Sequence, residues 1–370
     1  MKRSKALKLT GKDVVSIDIG QHTTKIVAGK PGKDSINIQQ AVSLPTPKDS
    51  YEKGRITDFN GLKKSIGGTL DSLKIRSRLA LCTVESAEII TREVLVPTAG
   101  EEQLAKMLEF EIQQYMPIEL SQYLVQSKVL EEVVEEGVAK TRVLVTAVPR
   151  ELAKNYYDLM QAMGLQPAVL DIQSNAVDKL LAMRIQINGE DQMNGEAVAM
   201  LDIGYSHINV IVMEKGHYKF NRFVNLGARN IDHNLANFMD VSFDEAEKFK
   251  HGIGDLSKDL EMSDVEIDPG DDVATQMRVL NIVRNTVDSW VEDIERIFKY
   301  YTTRAAGNTI DAIYLYGGTA QMRGLDTYLQ DAFNIKTSSV HSMTNVNINH
   351  YSGDASLASY INALGTMIRR

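Results

Sequence analysis

Short apolar segments interrupted by Gly, Pro and Asp dominate the first hundred residues of the chain. Five of them are rich in Val, Ile and Leu, a composition typical of strands. We therefore predict strands of a mixed sheet at residues 14–19, 24–29, 36–44, 79–84 and 88–95. After the third of these, the segment LKKSIGGTLDSL carries apolar residues at a spacing of three or four, which predicts an amphipathic helix.

A block of helix, strand, strand and helix is predicted over residues 98–165. Its first helix, EEQLAKMLEFEIQQYMP, places its apolar residues on one face and ends at Pro117. A strand pair follows at 123–134 and 141–148, and the second helix ends at Gly164, in the position of a C-terminal cap. This block could form a compact insert.

One pattern occurs twice in the chain. VVSIDIGQHTTKIVAGK, at residues 14–30, and AVAMLDIGYSHINVIVMEKG, at 197–216, both run through an apolar strand, Asp-Ile-Gly, a polar turn and a second apolar strand. Asp18 and Asp202 occupy the same place in the two copies. A repeated pattern of this kind indicates a duplicated fold, in which we expect the two turns to face each other.

Acidic residues and glycines follow four of the apolar runs. Asp18, Asp171 and Asp202 each end such a run, and another run is followed by Gly317 and Gly318. A single Asp-Ile-Gly turn is more simply interpreted as a surface hairpin. The alternative is a site in which a carboxylate faces a cation and backbone N–H groups face oxyanions. Four such strand ends in one chain favour a site for phosphate, metal or a nucleobase.

Composition narrows the classes of function. The chain has 370 residues, of which 43% are apolar and 24% charged, and its net charge is -8. Such an acidic chain lacks the clustered Lys and Arg of a general nucleic-acid binder. We predict that residues 1–12 form a flexible basic arm. The single cysteine, Cys82, is expected to be a small buried hydrophobe, and a cytoplasmic protein is expected.

The four motifs, in this order, resemble those of the actin-like ATPase superfamily. The resemblance implies an α/β fold of two duplicated lobes around a cleft that binds ATP and Mg²⁺, with Asp18 and Asp202 holding Mg²⁺ through water. The residues assigned in this way to the nucleotide are Asp18, Gly20, Gln21, His22, Thr23, Lys25, Asp202, Gly204, Tyr205, Ser206, Glu247, Lys250, Gly317, Gly318 and Thr319.

Two of these assignments depend on one helix, and a separate catalytic assignment depends on one strand end. In SFDEAEKFKHG, Glu247 and Lys250 are three residues apart and share a helix face, which suits the two ribose hydroxyls. A solvent-exposed ion pair is the alternative. Asp171 lies where relatives place the residue that polarises the attacking water, and a strand-end cap is the alternative for it. The acidic segment 257–272 is predicted to be a solvated loop, because its carboxylates have no calcium-loop spacing.

Three bulky side chains depart from the superfamily pattern, in which the hairpins carry small residues. They are His22 in the first hairpin and Tyr205 and His207 in the second. Bulk at these positions could move the γ-phosphate or narrow the cleft, whereas an imidazole could instead donate a hydrogen bond to phosphate. We expect nucleotide binding to survive and any ATP hydrolysis to be slow.

Within the superfamily, nearly the whole chain resembles the PilM family of type IV pilus assembly. The residues that carry this resemblance are IDIGQHTTKIV, EFEIQQYMPIEL, VPRELAKNYYDLMQAMGLQPAVLDIQSNAVDKLL and the closing YINALGTMIRR. FtsA, a cell-division protein, shares the insert, called subdomain 1C, but adds a linker and a membrane-binding terminal helix.

The resemblance implies a cytoplasmic, nucleotide-binding scaffold in the inner-membrane platform of the pilus machinery. Its insert would receive the short N-terminal cytoplasmic tail of a PilN-like membrane protein and thereby hold the scaffold at the inner face of the membrane. Other platform components and further copies of the chain are additional implied partners. An FtsA-like polymer and a small-molecule kinase of the same superfamily are the alternatives.

The same resemblance implies subdomain boundaries. They are 13–97, 166–185 and 345–370 for subdomain 1A, 98–165 for the 1C insert, 186–230 and 310–344 for subdomain 2A, and 231–309 for subdomain 2B.

Overall fold

A computed structural model gives the fold, and it describes most of the chain. The described residues are 7–116, 118–183, 186–191, 197–258, 273–304, 307–349, 351–352 and 356–369. Half of the predicted basic arm, Pro117 and most of the acidic segment 257–272 lie outside them.

The described residues form strands and helices throughout. In chain order, the strands are β1 (Val14–Ile19), β2 (Thr23–Pro31), β3 (Ile36–Pro45), β4 (Tyr51–Glu52), β5 (Arg55–Ile56), β6 (Leu79–Val84), β7 (Ile90–Pro97), β8 (Tyr123–Glu135), β9 (Val138–Pro149), β10 (Gln166–Ile172), β11 (Gln186–Ile187), β12 (Glu190–Asp191), β13 (Ala197–Ile203), β14 (Ile208–Glu214), β15 (His217–Val224), β16 (Ala312–Tyr316), β17 (Lys336–Ser339), β18 (Val346–Ile348) and β19 (Tyr351–Ser352). The α-helices are α1 (Phe59–Ser72), α2 (Glu101–Tyr115), α3 (Arg150–Ala162), α4 (Gln173–Leu181), α5 (Ala228–Met239), α6 (Phe243–His251), α7 (Val273–Arg304), α8 (Leu325–Phe333) and α9 (Ile361–Thr366).

Two sheets of the same topology form the body of the molecule. The first has the order β10-β6-β1-β2-β3-β18, with β19 also paired to β3, and the second has the order β15-β14-β13-β16-β17. In both, three antiparallel strands are followed by two parallel ones, because β1 pairs in parallel with β6 as β13 does with β16. The duplication predicted from the repeated pattern is confirmed.

The strands and the helix predicted in the first hundred residues are confirmed with small shifts at their ends. Strands β1, β2, β3, β6 and β7 match the five predicted runs, but β7 lies in a different sheet from the other four. Helix α1 buries Leu62, Ile66 and Leu70, the apolar stripe of its segment, and Asp58 caps its N-terminus by accepting a hydrogen bond from the backbone N–H of Gly61 at 3.0 Å. Cys82 is buried in β6, as expected.

A third, smaller sheet carries the insert. Its order is β7-β9-β8, and α2 packs on one face, where Leu108, Ile112 and Met116 meet Val143 and Val145 in a core of their own. Helix α3 belongs elsewhere, since its buried face joins the core beneath the first sheet. The predicted block began at residue 98 and ended at residue 165, so it excluded β7 and included α3. The packing instead groups β7 with the insert and α3 with the first sheet. The division into subdomains stays a prediction.

The insert contacts both larger sheets. Lys128 of β8 forms an ion pair with Asp178 of α4, on the side of the first sheet. On the other side, Lys219 of β15 lies 3.3 Å from the carboxylate of Glu131 in β8. Charged contacts therefore connect this small unit to both halves of the body.

The two body sheets meet at the helices α4 and α9. Gly365 of α9 lies so close to α4 that a Cβ at this position would be 2.1 Å from the carbonyl oxygen of Ala176. A side chain would force the two helices apart. Among the helices of the described residues, none is long and apolar enough to cross a membrane.

Candidate nucleotide site

The two hairpins that follow β1 and β13 have the same closure. The N–H of Gly20 donates to the carbonyl of Thr23, and the N–H of Gly204 donates to the carbonyl of His207, both at 3.1 Å. A Cβ at Gly20 would lie 2.7 Å from the Thr23 oxygen, and one at Gly204 would lie 2.9 Å from the His207 oxygen. The glycine of each Asp-Ile-Gly is therefore required by the tight turn.

Thr46, which the sequence analysis did not identify, fixes the peptide planes of the first hairpin. Its Oγ1 donates to the carbonyl of Gly20 at 2.7 Å, and its N–H donates to the carbonyl of His22 at 2.9 Å. In a planar trans peptide, the C=O and the following N–H point in opposite directions. The N–H groups of Gln21 and Thr23 consequently point away from Thr46.

The second hairpin is fixed by the N-terminus of α5 and by one threonine. The carbonyl of Gly204 accepts hydrogen bonds from the first N–H of α5 and from Thr319 Oγ1, both at 3.1 Å, and the carbonyl of Tyr205 accepts from the second N–H of α5 at 2.8 Å. By the same planarity, the N–H groups of Tyr205 and Ser206 point away from α5. Each hairpin thus has two oriented N–H groups of the kind that bind phosphate oxygens.

An amide from a connecting helix reaches each of the two repeated aspartates. Gln173, the first residue of α4, donates to Asp18 Oδ1 at 3.3 Å, and Thr83 donates to the same oxygen at 2.6 Å. Asn362 of α9 donates to Asp202 Oδ2 at 2.8 Å. Both aspartates are buried, so these donors offset part of the cost of burying their charge.

A third carboxylate, Glu85, lies near this pair and was not identified from the sequence. Burial, together with the charges of Asp202 and Asp18, raises its pKa to about 8. Burial and the charge of Asp18 also raise the pKa of Asp202 to about 6, against the opposing effects of its Asn362 hydrogen bond and of Lys25. One oxygen of Glu85, Oε2, is buried without a hydrogen-bond partner.

Asp171 lies in the same row of side chains as Asp18, because both pair in register with Thr83. Its two oxygens are engaged, one by Asn175 Nδ2 at 2.7 Å and the other by the ammonium of Lys179 in a buried ion pair. Gln173, two residues later, contacts Asp18 and has a buried Oε1 without a partner. The catalytic role predicted for Asp171 stays a prediction.

The two glycines after β16 have different surroundings. Gly317 has a φ of 93°, and a Cβ there would lie 2.3 Å from Asp202 Oδ1, so the missing side chain makes room for the aspartate. Gly318 has no atom within 4 Å of the position of a Cβ. Only Gly318 therefore offers the open, flat surface predicted for a nucleobase, next to Thr319, which holds the second hairpin.

Helix α6 presents the two residues predicted for the ribose. Its N-terminus is a capping box, in which Glu245 Oε2 accepts from the N–H of Ser242 at 3.0 Å. Further along, Glu247 Oε1 lies 2.7 Å from His22 Nε2, and Lys250 Nζ lies 2.6 Å from Asp232 Oδ1. Glu247 and Lys250 therefore contact other elements and do not pair with each other.

The contacts of the His207 ring are with two protein side chains of the second sheet and its hairpin. Its ring meets Phe223 edge to face, with centroids 5.6 Å apart, and its Nδ1 lies 3.1 Å from Ser206 Oγ. Burial lowers its pKa, although the charge of Asp18 opposes the effect. A neutral imidazole is expected at this position near neutral pH.

The residues present fit a nucleotide with Mg²⁺. Among the described residues, no three His, Cys, Asp or Glu side chains are grouped closely enough to hold a metal ion directly. The predicted Mg²⁺ site consists of two carboxylates and water, and Mg²⁺ commonly keeps several waters. The partnerless oxygens of Gln173 and Glu85 could accept hydrogen bonds from such waters.

Two duplicated sheets with matching hairpins and acidic strand ends define the class of the protein, which is the actin-like ATPase fold. Solved structures share it. A structure titled "PilM-PilN type IV pilus biogenesis complex" has a TM-score of 0.75 and 17% identity, covering 96% of this chain and 97% of that chain. The structure of EutJ from Carboxydothermus hydrogenoformans has a TM-score of 0.56 and 14% identity, covering 98% of this chain and 91% of that chain. The structure of MreB5 of Spiroplasma citri bound to ADP has a TM-score of 0.51 and 13% identity, covering 96% of this chain and 95% of that chain.

A family model places the chain more narrowly. The model described as type IV pilus assembly protein PilM matches residues 16–269, and the chain belongs to this family. A model of the cell division protein FtsA matches residues 199–365. FtsA of Bacillus subtilis (strain 168) is 22% identical over 357 residues, which is 86% of this chain and 76% of the relative. The resemblance stated from the sequence is confirmed for the fold and the family.

Proposed function

We propose that this protein is a nucleotide-binding scaffold of the type IV pilus inner-membrane platform, and that it binds the N-terminal cytoplasmic tail of a PilN-like membrane protein. Membership of the PilM family supports the pilus role. The observation that carries the nucleotide part is the contact between the two hairpins, where the rings of His22 and Tyr205 lie 4.9 Å apart. This contact brings the two hairpins, which carry the oriented N–H groups, side by side.

In this proposal the hairpins bind the phosphates of ATP through backbone N–H groups. Asp18 and Asp202 hold Mg²⁺ through water, and the bound ion supplies positive charge that neutralises the phosphate oxygens. Lys25 adds a second positive charge, which already acts on Asp202. Thr319 keeps the second hairpin in place, and Gly318 leaves room for the base.

Slow turnover is part of the proposal. Asp171 is held by Lys179, so it is poorly placed to accept a proton, whereas Gln173 can only orient water and cannot take its proton near neutral pH. We expect phosphate release well below the roughly 1–100 per second of kinases. A single-turnover assay should show slower release in Gln173→Ala than in the wild type. Release at kinase-like rates that Asp171→Asn abolishes would contradict this assignment.

The insert is the proposed docking site for the tail. Half of the large apolar side chains that are exposed among the described residues lie in this small unit. They are Phe110, Leu124, Val129, Val134 and Val138. A short peptide gains affinity mostly from apolar anchors, so such a concentration suits the tail. Through it the protein would sit at the inner face of the cytoplasmic membrane.

Point variants test the docking site better than deletion of residues 98–165, which would remove α3 from the first core. Phe110 of α2 and Phe238 of α5 are almost equally exposed, at 64% and 62%. We expect Phe110→Glu to weaken binding of a synthetic PilN-tail peptide by about tenfold or more, the size of an interface hot spot, and Phe238→Glu to leave it unchanged. Calorimetry measures both. Equal affinity of the two variants would remove α2 from the docking surface.

An FtsA-like polymer is the second candidate. The FtsA model match over residues 199–365 and the 22% identity to the Bacillus subtilis protein favour it. Sedimentation with ATP, with and without lipid vesicles, separates the two functions. The scaffold is expected to stay in the supernatant in both cases, and pelleting that depends on ATP and vesicles would support the polymer instead.

A further inference from the structure

One side-chain contact joins the two halves of the molecule across the candidate nucleotide cleft. His22 belongs to the first hairpin, which follows β1 of the first sheet, and Glu247 belongs to α6, on the side of the second sheet. Their Nε2 and Oε1 atoms are 2.7 Å apart. The His22 and Glu247 side chains are 41% and 31% exposed, so both can be reached by a ligand in the cleft.

Tyr205 packs against this contact. Its ring lies 4.9 Å from that of His22 on one side, and Lys250 Nζ lies 5.8 Å from the ring centroid. Burial raises the pKa of Tyr205 to about 12, so the phenol is neutral and the ring serves as an apolar support. We name His22, Tyr205 and Glu247 the clasp.

The carboxylate in the clasp is the one predicted to bind the ribose. Burial tends to raise the pKa of Glu247, but its hydrogen bond with His22 and the charges of His22, Lys250 and His251 together hold the pKa below its ordinary value. Lys250 and His251 act in the same direction from the same helix, and His251 Nε2 is 3.8 Å away. A ribose hydroxyl that donates to Glu247 must therefore compete with an imidazole already bound there.

We propose that His22 is the residue that sets nucleotide affinity, because His22 and the ribose hydroxyls compete for Glu247. The proposal rests on the proposed nucleotide-binding function and adds a determinant to it. Binding of a nucleotide breaks the His22–Glu247 contact. The free energy of that contact therefore makes the free energy of nucleotide binding less favourable. Removing the imidazole frees the carboxylate for ribose and leaves the backbone of the hairpin, which Thr46 fixes, unchanged.

His22→Ser and, as a second variant, His22→Ala test the proposal. A hydrogen bond to a charged group contributes about 1.5–3 kcal/mol, and the partial exposure of both side chains reduces this to about 1–2 kcal/mol. We therefore expect ATP·Mg²⁺ to bind these variants about five- to thirtyfold more tightly than the wild type. His251→Ser is the matched control, since it removes an imidazole near the same carboxylate without breaking a contact across the cleft. It should change the affinity by less than about twofold.

A nucleotide without ribose hydroxyls isolates the competition. 2′,3′-Dideoxy-ATP cannot donate to Glu247, so His22→Ser should improve its binding far less than it improves the binding of ATP. Calorimetric titrations of both nucleotides into wild type and variants give the comparison. A loss of affinity in His22→Ser, or an equal gain for the two nucleotides, would overturn the proposal.

Failure of the clasp and failure of the proposed function give different results. If the wild type binds ATP and both His22 variants bind it no more tightly, the clasp is wrong and the nucleotide-binding function stands. If neither the wild type nor any variant binds either nucleotide, both are wrong. A gain for ATP alone, absent in His251→Ser, supports the clasp.

Discussion

Replacing Glu85 by glutamine should stabilise the protein, and more so at high pH than at low pH. The carboxyl group is buried near Asp18 and Asp202, and its Oε2 has no hydrogen-bond partner. Glutamine keeps the shape of the side chain and an oxygen for the N–H of Ser86, which lies 3.3 Å from Glu85 Oε1. The substitution therefore removes a charge and little else.

The magnitude follows from the pKa of Glu85, which rises from 4.5 to about 8 on folding. Between these values the folded protein holds a proton that the unfolded chain has released, so its stability falls as the pH rises from about 4.5 to about 8. Each unit by which the pKa rises on folding costs about 1.4 kcal/mol of stability once the group is ionised. The full loss of folding stability above pH 8 is therefore at most about 5 kcal/mol. Below pH 4.5 the cost is absent, because both states are protonated there.

Thermal unfolding at pH 5 and pH 8.5 measures the difference. We expect Glu85→Gln to unfold several degrees above the wild type at pH 8.5 and close to it at pH 5. In a chain of 370 residues, about 1 kcal/mol raises the midpoint by about 1–2 °C. Glu52→Gln, a change at an exposed glutamate, should have no effect at either pH. A lower midpoint for Glu85→Gln at pH 8.5, or the same rise at both pH values, would show that the buried charge of Glu85 does not destabilise the protein.

Two further substitutions test the surroundings of the aspartates. Gly317→Ala should destabilise the fold by about 1–3 kcal/mol, because of its positive φ and the closeness of Asp202, whereas Gly318→Ala should be nearly neutral in urea unfolding. Lys179→Met should cost about 3–5 kcal/mol, since it leaves the buried Asp171 unpaired, and adding Asp171→Leu should restore most of that loss. Equal midpoints for the two glycine variants, or no rescue in the double variant, would contradict these assignments.

The elements could be predicted from the sequence because their signals are local. The apolar runs and the repeated Asp-Ile-Gly already contain the strands and hairpins of both sheets. The insert was less predictable. β7 has the pattern of an ordinary strand, and only its pairing with β9 assigns it to the third sheet. Similarly, α3 shows its place only through non-local contacts, such as the hydrogen bond between the hydroxyls of Tyr156 and Tyr51 at 2.7 Å.

The site residues that sequence reasoning missed are brought in from distant parts of the chain. Glu85 follows β6 and comes near Asp18 because β6 pairs in parallel with β1, in a register that puts Thr83 beside Asp18. Thr46 reaches the first hairpin from the end of β3. Gln173 had a local signal, since a polar residue that opens a helix directly after a strand lies at the edge of the sheet, where ligands bind.

Titration of ATP with Mg²⁺ into purified protein is the decisive measurement of whether the two hairpins form a nucleotide site. The protein must first be freed of carried-over nucleotide, and binding must be measured by calorimetry in the wild type and in Asp202→Ala. The account predicts saturable binding to the wild type at one site, and weaker binding to Asp202→Ala, which lacks one of the two carboxylates assigned to Mg²⁺. A folded wild-type protein that takes up no nucleotide would contradict the account.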